Sequence, residues 1–86
     1  MSDTRPVRVM VHDVWDEVVL ELPGSAPIGE VKRLALERAR VVRDPAGYLV
    51  KYRGAEVRDE SRTLLEEGIV PNAPLIVLAR RRRPVR

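Results

Sequence analysis

Valine alternates with other residues near the start of the chain. Val7, Val9 and Val11 share one parity, while Arg8, Met10 and His12 share the other. A period of two puts successive side chains on opposite faces of the backbone, so residues 7–12 predict a half-buried strand. A second alternation sets Val18, Leu20 and Leu22 against Val19 and Glu21. The intervening Asp13-Val14-Trp15-Asp16-Glu17 is short and polar, which predicts an antiparallel hairpin. Pro23-Gly24 ends its second strand, because proline cannot donate to a ladder and glycine bends freely.

The period then lengthens. Ile28, Val31, Leu34, Ala35 and Ala39 recur at helical spacing, with Glu30, Lys32, Arg33, Glu37 and Arg38 on the remaining face. Ser25 or Ala26 is expected as the N-cap, with Pro27 in the first turn, where its missing N–H needs no partner. Asp44-Pro45-Ala46-Gly47 stops a helix that frays from Val41 onward. Tyr48, Val50 and Tyr52 then alternate with Leu49, Lys51 and Arg53 in a third strand. Gly54-Ala55 predicts a tight turn into a short strand around Glu56-Val57-Arg58. Residues 59–68 predict a loop with one helical turn at Leu64-Leu65. After a turn at Pro71-Asn72-Ala73-Pro74, the apolar Leu75-Ile76-Val77-Leu78-Ala79 predicts a strand in mid-sheet. The order β-β-α-β-β-β defines an α+β domain, with the helix lying across one face of the sheet so that both apolar surfaces are covered.

Composition narrows the functions available. The chain has 86 residues, 44% of them hydrophobic, enough for one domain with one modest core. It has no cysteine, so disulfides, thiolate metal sites and cysteine nucleophiles are excluded. The first residues carry no apolar run of a signal peptide, and no stretch approaches the roughly 20 residues of a membrane-spanning helix. A cytoplasmic protein is therefore expected, and no membrane insertion. The net charge of +3 is unevenly placed: five arginines fall in the last seven residues, leaving 11 basic and 13 acidic residues and a body of formal charge −2.

Three segments together carry a resemblance. They are Glu17-Val18-Val19-Leu20-Glu21-Leu22 with Ile28-Gly29-Glu30-Val31-Lys32; Leu49-Val50-Lys51-Tyr52-Arg53-Gly54; and Asp59-Glu60-Ser61-Arg62-Thr63-Leu64 followed by Gly68-Ile69-Val70 and Leu75-Ile76-Val77-Leu78. From about Val7 to Arg80 the chain resembles ubiquitin and its relatives. The resemblance implies a β-grasp fold, a mixed sheet of four to five strands crossed by one helix. It also implies that Thr63, Leu64 and Ile69 tuck a short turn beneath the sheet edge. Residues 1–6 are expected to be a flexible segment, 7–80 the domain, and 81–86 a basic tail.

Two departures from the resemblance bear on function. Ubiquitin and the β-grasp sulfur carriers end in a flexible diglycine, whereas Arg80 is followed here by Arg81-Arg82-Arg83-Pro84-Val85-Arg86. The expectation is a non-catalytic protein-interaction module or adaptor, similar in this respect to the YukD-like accessory proteins of type VII secretion. A modifier of a bacterial conjugation pathway with an atypical C-terminus is the alternative. The second departure lies in the surface by which ubiquitin is usually recognised. Its central isoleucine falls on Lys51, with Leu78 retained and Ile76 replacing another flanking position. Abundant arginine, alanine and valine with only two lysines suggest a GC-rich prokaryotic gene.

The candidate contact residues follow. Trp15 is the single tryptophan, read as an exposed anchor for a partner or as a ring folded back over its own hairpin. Lys51, Ile76 and Leu78 are read as a patch on the outer sheet face or as cover for loops and tail. Arg80, Arg81, Arg82, Arg83 and Arg86 have three readings: contact with nucleic acid or an acidic surface, a docking peptide, or a solvated charge run. The partners expected are other proteins and not nucleic acid, with the chain itself a monomer. His12 stands alone, Asp13, Asp16 and Glu17 lack a calcium-loop pattern, and no phosphate loop or catalytic set is visible, so neither cofactor, metal nor catalysis is expected.

Overall fold

The computed structural model of the chain describes residues 4–80. Its elements are β1 (Thr4–Val11), β2 (Asp16–Pro23), α1 (Ile28–Arg38), a 3-10 turn (Pro45–Gly47), β3 (Tyr48–Tyr52), β4 (Ala55–Glu56) and β5 (Pro74–Ala79). The sheet runs β2-β1-β5-β3-β4. β1 and β5 are parallel and every other pair is antiparallel, so the last strand lies in mid-sheet, as its apolar run predicts. β1 begins earlier than the valine alternation implies. Thr4, Arg5 and Pro6, expected in the flexible segment, are strand residues opposite Pro23, Leu22 and Glu21.

The core lies between the sheet and α1. Val7, Val9, Val11, Val18, Leu20, Val50, Leu75 and Val77 supply the sheet side, and Ile28, Val31, Ala35 and Leu36 the helix side. Each fully buried aliphatic side chain contributes about 1.5–3 kcal/mol. Leu64 and Ile69 close one end, both buried as expected, while Leu65 is exposed.

The helix differs from its sequence pattern in three respects. Its N-cap is Pro27, with no capping side chain, rather than Ser25 or Ala26. The first helical N–H groups are instead satisfied from a distant loop: Ile28 N donates to Arg62 O and Gly29 N to Glu60 O, both at 2.9 Å. Secondly, Leu36 is buried where the pattern had named Leu34, which is half-buried.

The third correction is Lys32. Placed by the pattern on the polar face, it is only 4% exposed. Its ammonium donates to Tyr48 O at 3.0 Å and lies 3.0 and 2.8 Å from the two Glu60 carboxylate oxygens. A buried charge is tolerable when paired and hydrogen-bonded, and both partners here come from other parts of the chain.

The helix ends in a Schellman arrangement. Arg40 N donates to Glu37 O and Val41 N to Leu36 O, with Arg40 in left-handed backbone at φ 61°. The β3–β4 turn also differs from expectation, since its central pair is Arg53-Gly54, both at positive φ, and the strand behind it is Ala55–Glu56. Val57 continues the pairing with one bond, its N–H donating to Val50 O at 2.8 Å. Among the described residues no helix is long and apolar enough to cross a membrane.

Candidate protein-binding surface

Strand parity decides what the sheet shows on its outer side. Val9, Val11, Val50, Leu75 and Val77 point to the core, so Arg8, Met10, Leu49, Lys51, Ile76 and Leu78 face away from it. Lys51 lies directly opposite Ile76, and Leu49 opposite Leu78. Across the other edge of β5, Met10 lies opposite Ile76. The three residues singled out from sequence on β3 and β5 are therefore neighbours on one face. Ile76 is 41% exposed, and Met10, Leu49, Lys51 and Leu78 are half-buried.

Met10 and Leu49 complete this strip and were missed in the sequence reading. Their signal was available in the alternation, since both occupy the parity opposite to the core valines. Charged residues border the strip. Arg8 donates to Glu17 at 2.9 Å across β1–β2, and this bond holds the Arg8 pKa above its ordinary value. Glu56, opposite Lys51, sits instead within ion-pair distance of Arg80 at 3.5 Å. Among the described residues no carboxylate pairs with Lys51. The strip is thus apolar and centred on Ile76, with Lys51 at its β3 margin between Ile76 and Glu56.

Trp15 does not belong to the ladder. It follows the last β1–β2 pair, Val11↔Asp16, and takes left-handed backbone at φ 51°. A bulky residue in that region is uncommon and strained. Its ring packs against His12 with centroids 4.5 Å apart, yet the residue remains 72% exposed. The turn that carries it is held to the body by a buried hydroxyl. Tyr48 donates to Asp13 Oδ2 at 2.5 Å, and this bond together with burial raises the Tyr48 pKa.

Arg80 is engaged by the domain. Its N–H donates to Gly47 O at 2.8 Å and its guanidinium to Ala46 O at 3.2 Å. Arg81, Arg82, Arg83 and Arg86, named with it in the sequence reading, lie outside the described residues. Within the described residues no group of three or more His, Cys, Asp or Glu side chains is placed to hold a metal ion.

This geometry can be set beside known proteins. No protein-family model and no curated protein matches the chain. Solved structures do match it. The chain is similar to ubiquitin from Caldiarchaeum subterraneum with a TM-score of 0.77 at 15% identity, over 91% of this chain and 95% of that one. It is similar to a designed protein based on ubiquitin, with a TM-score of 0.78 at 20% identity over 93% of each chain. A ubiquitin-like domain of an Arabidopsis thaliana protein gives 0.76 at 16% identity, over 99% of this chain and 86% of that domain. At these identities the likeness speaks for the fold, and the fold is the ubiquitin-like β-grasp.

Proposed function

We propose that this chain is a non-catalytic ubiquitin-like interaction module, an adaptor in a prokaryotic protein assembly, which binds its partner through the outer face of the sheet. The observation that carries the reading is the strip of Met10, Leu49, Ile76 and Leu78, with Lys51 at its edge beside Ile76. Large aliphatic side chains standing outward on the central strand of so small a domain contribute nothing to its core. They are available to a partner, and Lys51 gives that partner a required charge.

The test is affinity capture from lysate of the chain's own host, using the full chain beside its Ile76→Glu and Lys51→Glu variants. Each capture is washed under native and then denaturing conditions. The proposal expects a defined partner that is held natively, lost on denaturation, and lost with either variant. A ladder of products that survives denaturation would instead mean covalent attachment, the modifier reading. A partner held equally by all three proteins would remove the sheet face from consideration.

A further inference from the structure

The chain has no cysteine, so amines are the strongest nucleophiles among its side chains. Of its 16 basic residues only Lys32 and Lys51 are lysine, and arginine stays protonated and unreactive at any ordinary pH. Two ε-amines are therefore all that acylation of a side-chain amine can reach. The fold treats them oppositely.

Lys32 is closed. It is 4% exposed, and its ammonium lies 3.0 Å from Tyr48 O and 3.0 and 2.8 Å from the two Glu60 carboxylate oxygens. A protonated nitrogen has no lone pair to offer, and this one faces three oxygens that hold its protons. Acylation of Lys32 requires the contacts among α1, β3 and the 59–69 loop to open first.

Lys51 is open. A row of residues crosses the outer face, Glu17, Met10, Ile76, Lys51 and Glu56, each opposite the next. Both carboxylates of the row are committed to arginines outside it, Glu17 to Arg8 at 2.9 Å and Glu56 to Arg80 at 3.5 Å. Among the described residues nothing pairs with Lys51 or bonds to its amine, and its half-buried stem leaves that amine to solvent. Its charge is the one uncommitted charge of the row. No side chain holds the amine for attack, so the activation must come from the acyl donor itself.

We propose that Lys51 is an acyl-acceptor site for small acyl phosphates, and that acylation there switches off docking at the sheet face. The neutral amine nitrogen attacks the acyl carbon, the bond from that carbon to the phosphate oxygen breaks, and inorganic phosphate leaves. The nitrogen loses a proton to solvent and an amide remains, with no change of oxidation state. The amide removes the charge that sets Lys51 apart in its row and places the acyl chain beside Ile76. The switch rests on the sheet-face reading above, whereas the acylation does not.

The full chain is incubated with acetyl phosphate, once native and once in concentrated urea, and each acetyl group is located by mass spectrometry. In the native protein Lys51 is expected to react roughly a hundredfold or more faster than Lys32, which reacts only from opened molecules. In urea the two lysines are expected to react alike. Equal native rates, or acetyl confined to the N-terminal amine, would overturn the acceptor site. Protein purified from its own host is expected to carry acyl groups on Lys51 and none on Lys32; a host protein bare at Lys51 counts against the proposal. Capture from lysate is then repeated with acetyl-lysine built in at position 51, and partner binding is expected to fall roughly tenfold or more. A partner held equally by both forms would sink the switch. An unmodified chain that captures nothing would sink the sheet-face reading and the switch with it, while the acetylation map still decides the acceptor site.

Discussion

The chain has two lysines, and they sit on opposite sides of one sheet in opposite circumstances. Lys32 projects from α1 into the core side, where a backbone carbonyl and a carboxylate hold its ammonium. Lys51 projects outward from β3 between Ile76 and Glu56, and among the described residues it forms no ion pair, Glu56 lying instead within reach of Arg80. The first lysine is a fastener joining α1, β3 and the 59–69 loop. The second is free to meet something else. Charge type alone therefore carries no functional meaning in this domain; surroundings assign it.

This contrast can be broken by substitution. Lys32→Met leaves the Glu60 carboxylate and the Tyr48 carbonyl without their donor, and urea unfolding is expected to show a loss of about 3 kcal/mol. Adding Glu60→Leu is expected to recover part of that loss, because the stranded charge is then gone. If Lys32→Met proved neutral, the two lysines would be equivalent and the contrast would fail.

Tyr48 gives an intermediate effect with a pH signature. Its hydroxyl bond to Asp13, with burial, raises its pKa above the ordinary 10.0 in the folded state. The unfolded tyrosine ionises first as pH rises. Stability from this group is therefore fully present below about pH 10 and is lost as pH climbs from there through the folded value. Tyr48→Phe is expected to cost about 1 kcal/mol at neutral pH and to remove this alkaline component from a pH series of melting temperatures.

The smallest effects belong to the outer face. Lys51→Met and Ile76→Ser are each expected to change unfolding free energy by less than about 0.5 kcal/mol, while partner capture is lost. A large loss of stability in either variant would mean that the strip serves the fold and not a partner.

Much of the architecture was legible in the chain, because strand and helix periods are local properties. The hairpin, the helix, the third strand and the apolar last strand all follow from spacing. So does the placement of Lys51, Ile76 and Leu78 on one face, once the register aligns β3 with β5. Met10 and Leu49 were within reach by the same parity argument. Lys32 was not. A lysine at a helical position with polar neighbours reads as solvated, and only the arrival of Glu60 from 28 residues away reverses that reading. The N-cap failed for a similar reason: the carbonyls that satisfy Ile28 and Gly29 belong to a loop more than 30 residues later.

The amino-acid order by itself determined which residues could share a strand face or a helix stripe, since each depends on the geometry of a few consecutive peptides. It also determined that arginine would crowd the C-terminal end. Tertiary structure decided where Arg80 lies, because the parallel pairing of β1 with β5 brings it to the end that carries Trp15, Arg40 and Val42. It likewise decided that one lysine is buried and the other free. Both outcomes depend on contacts between distant segments, and no local period encodes which segments will meet.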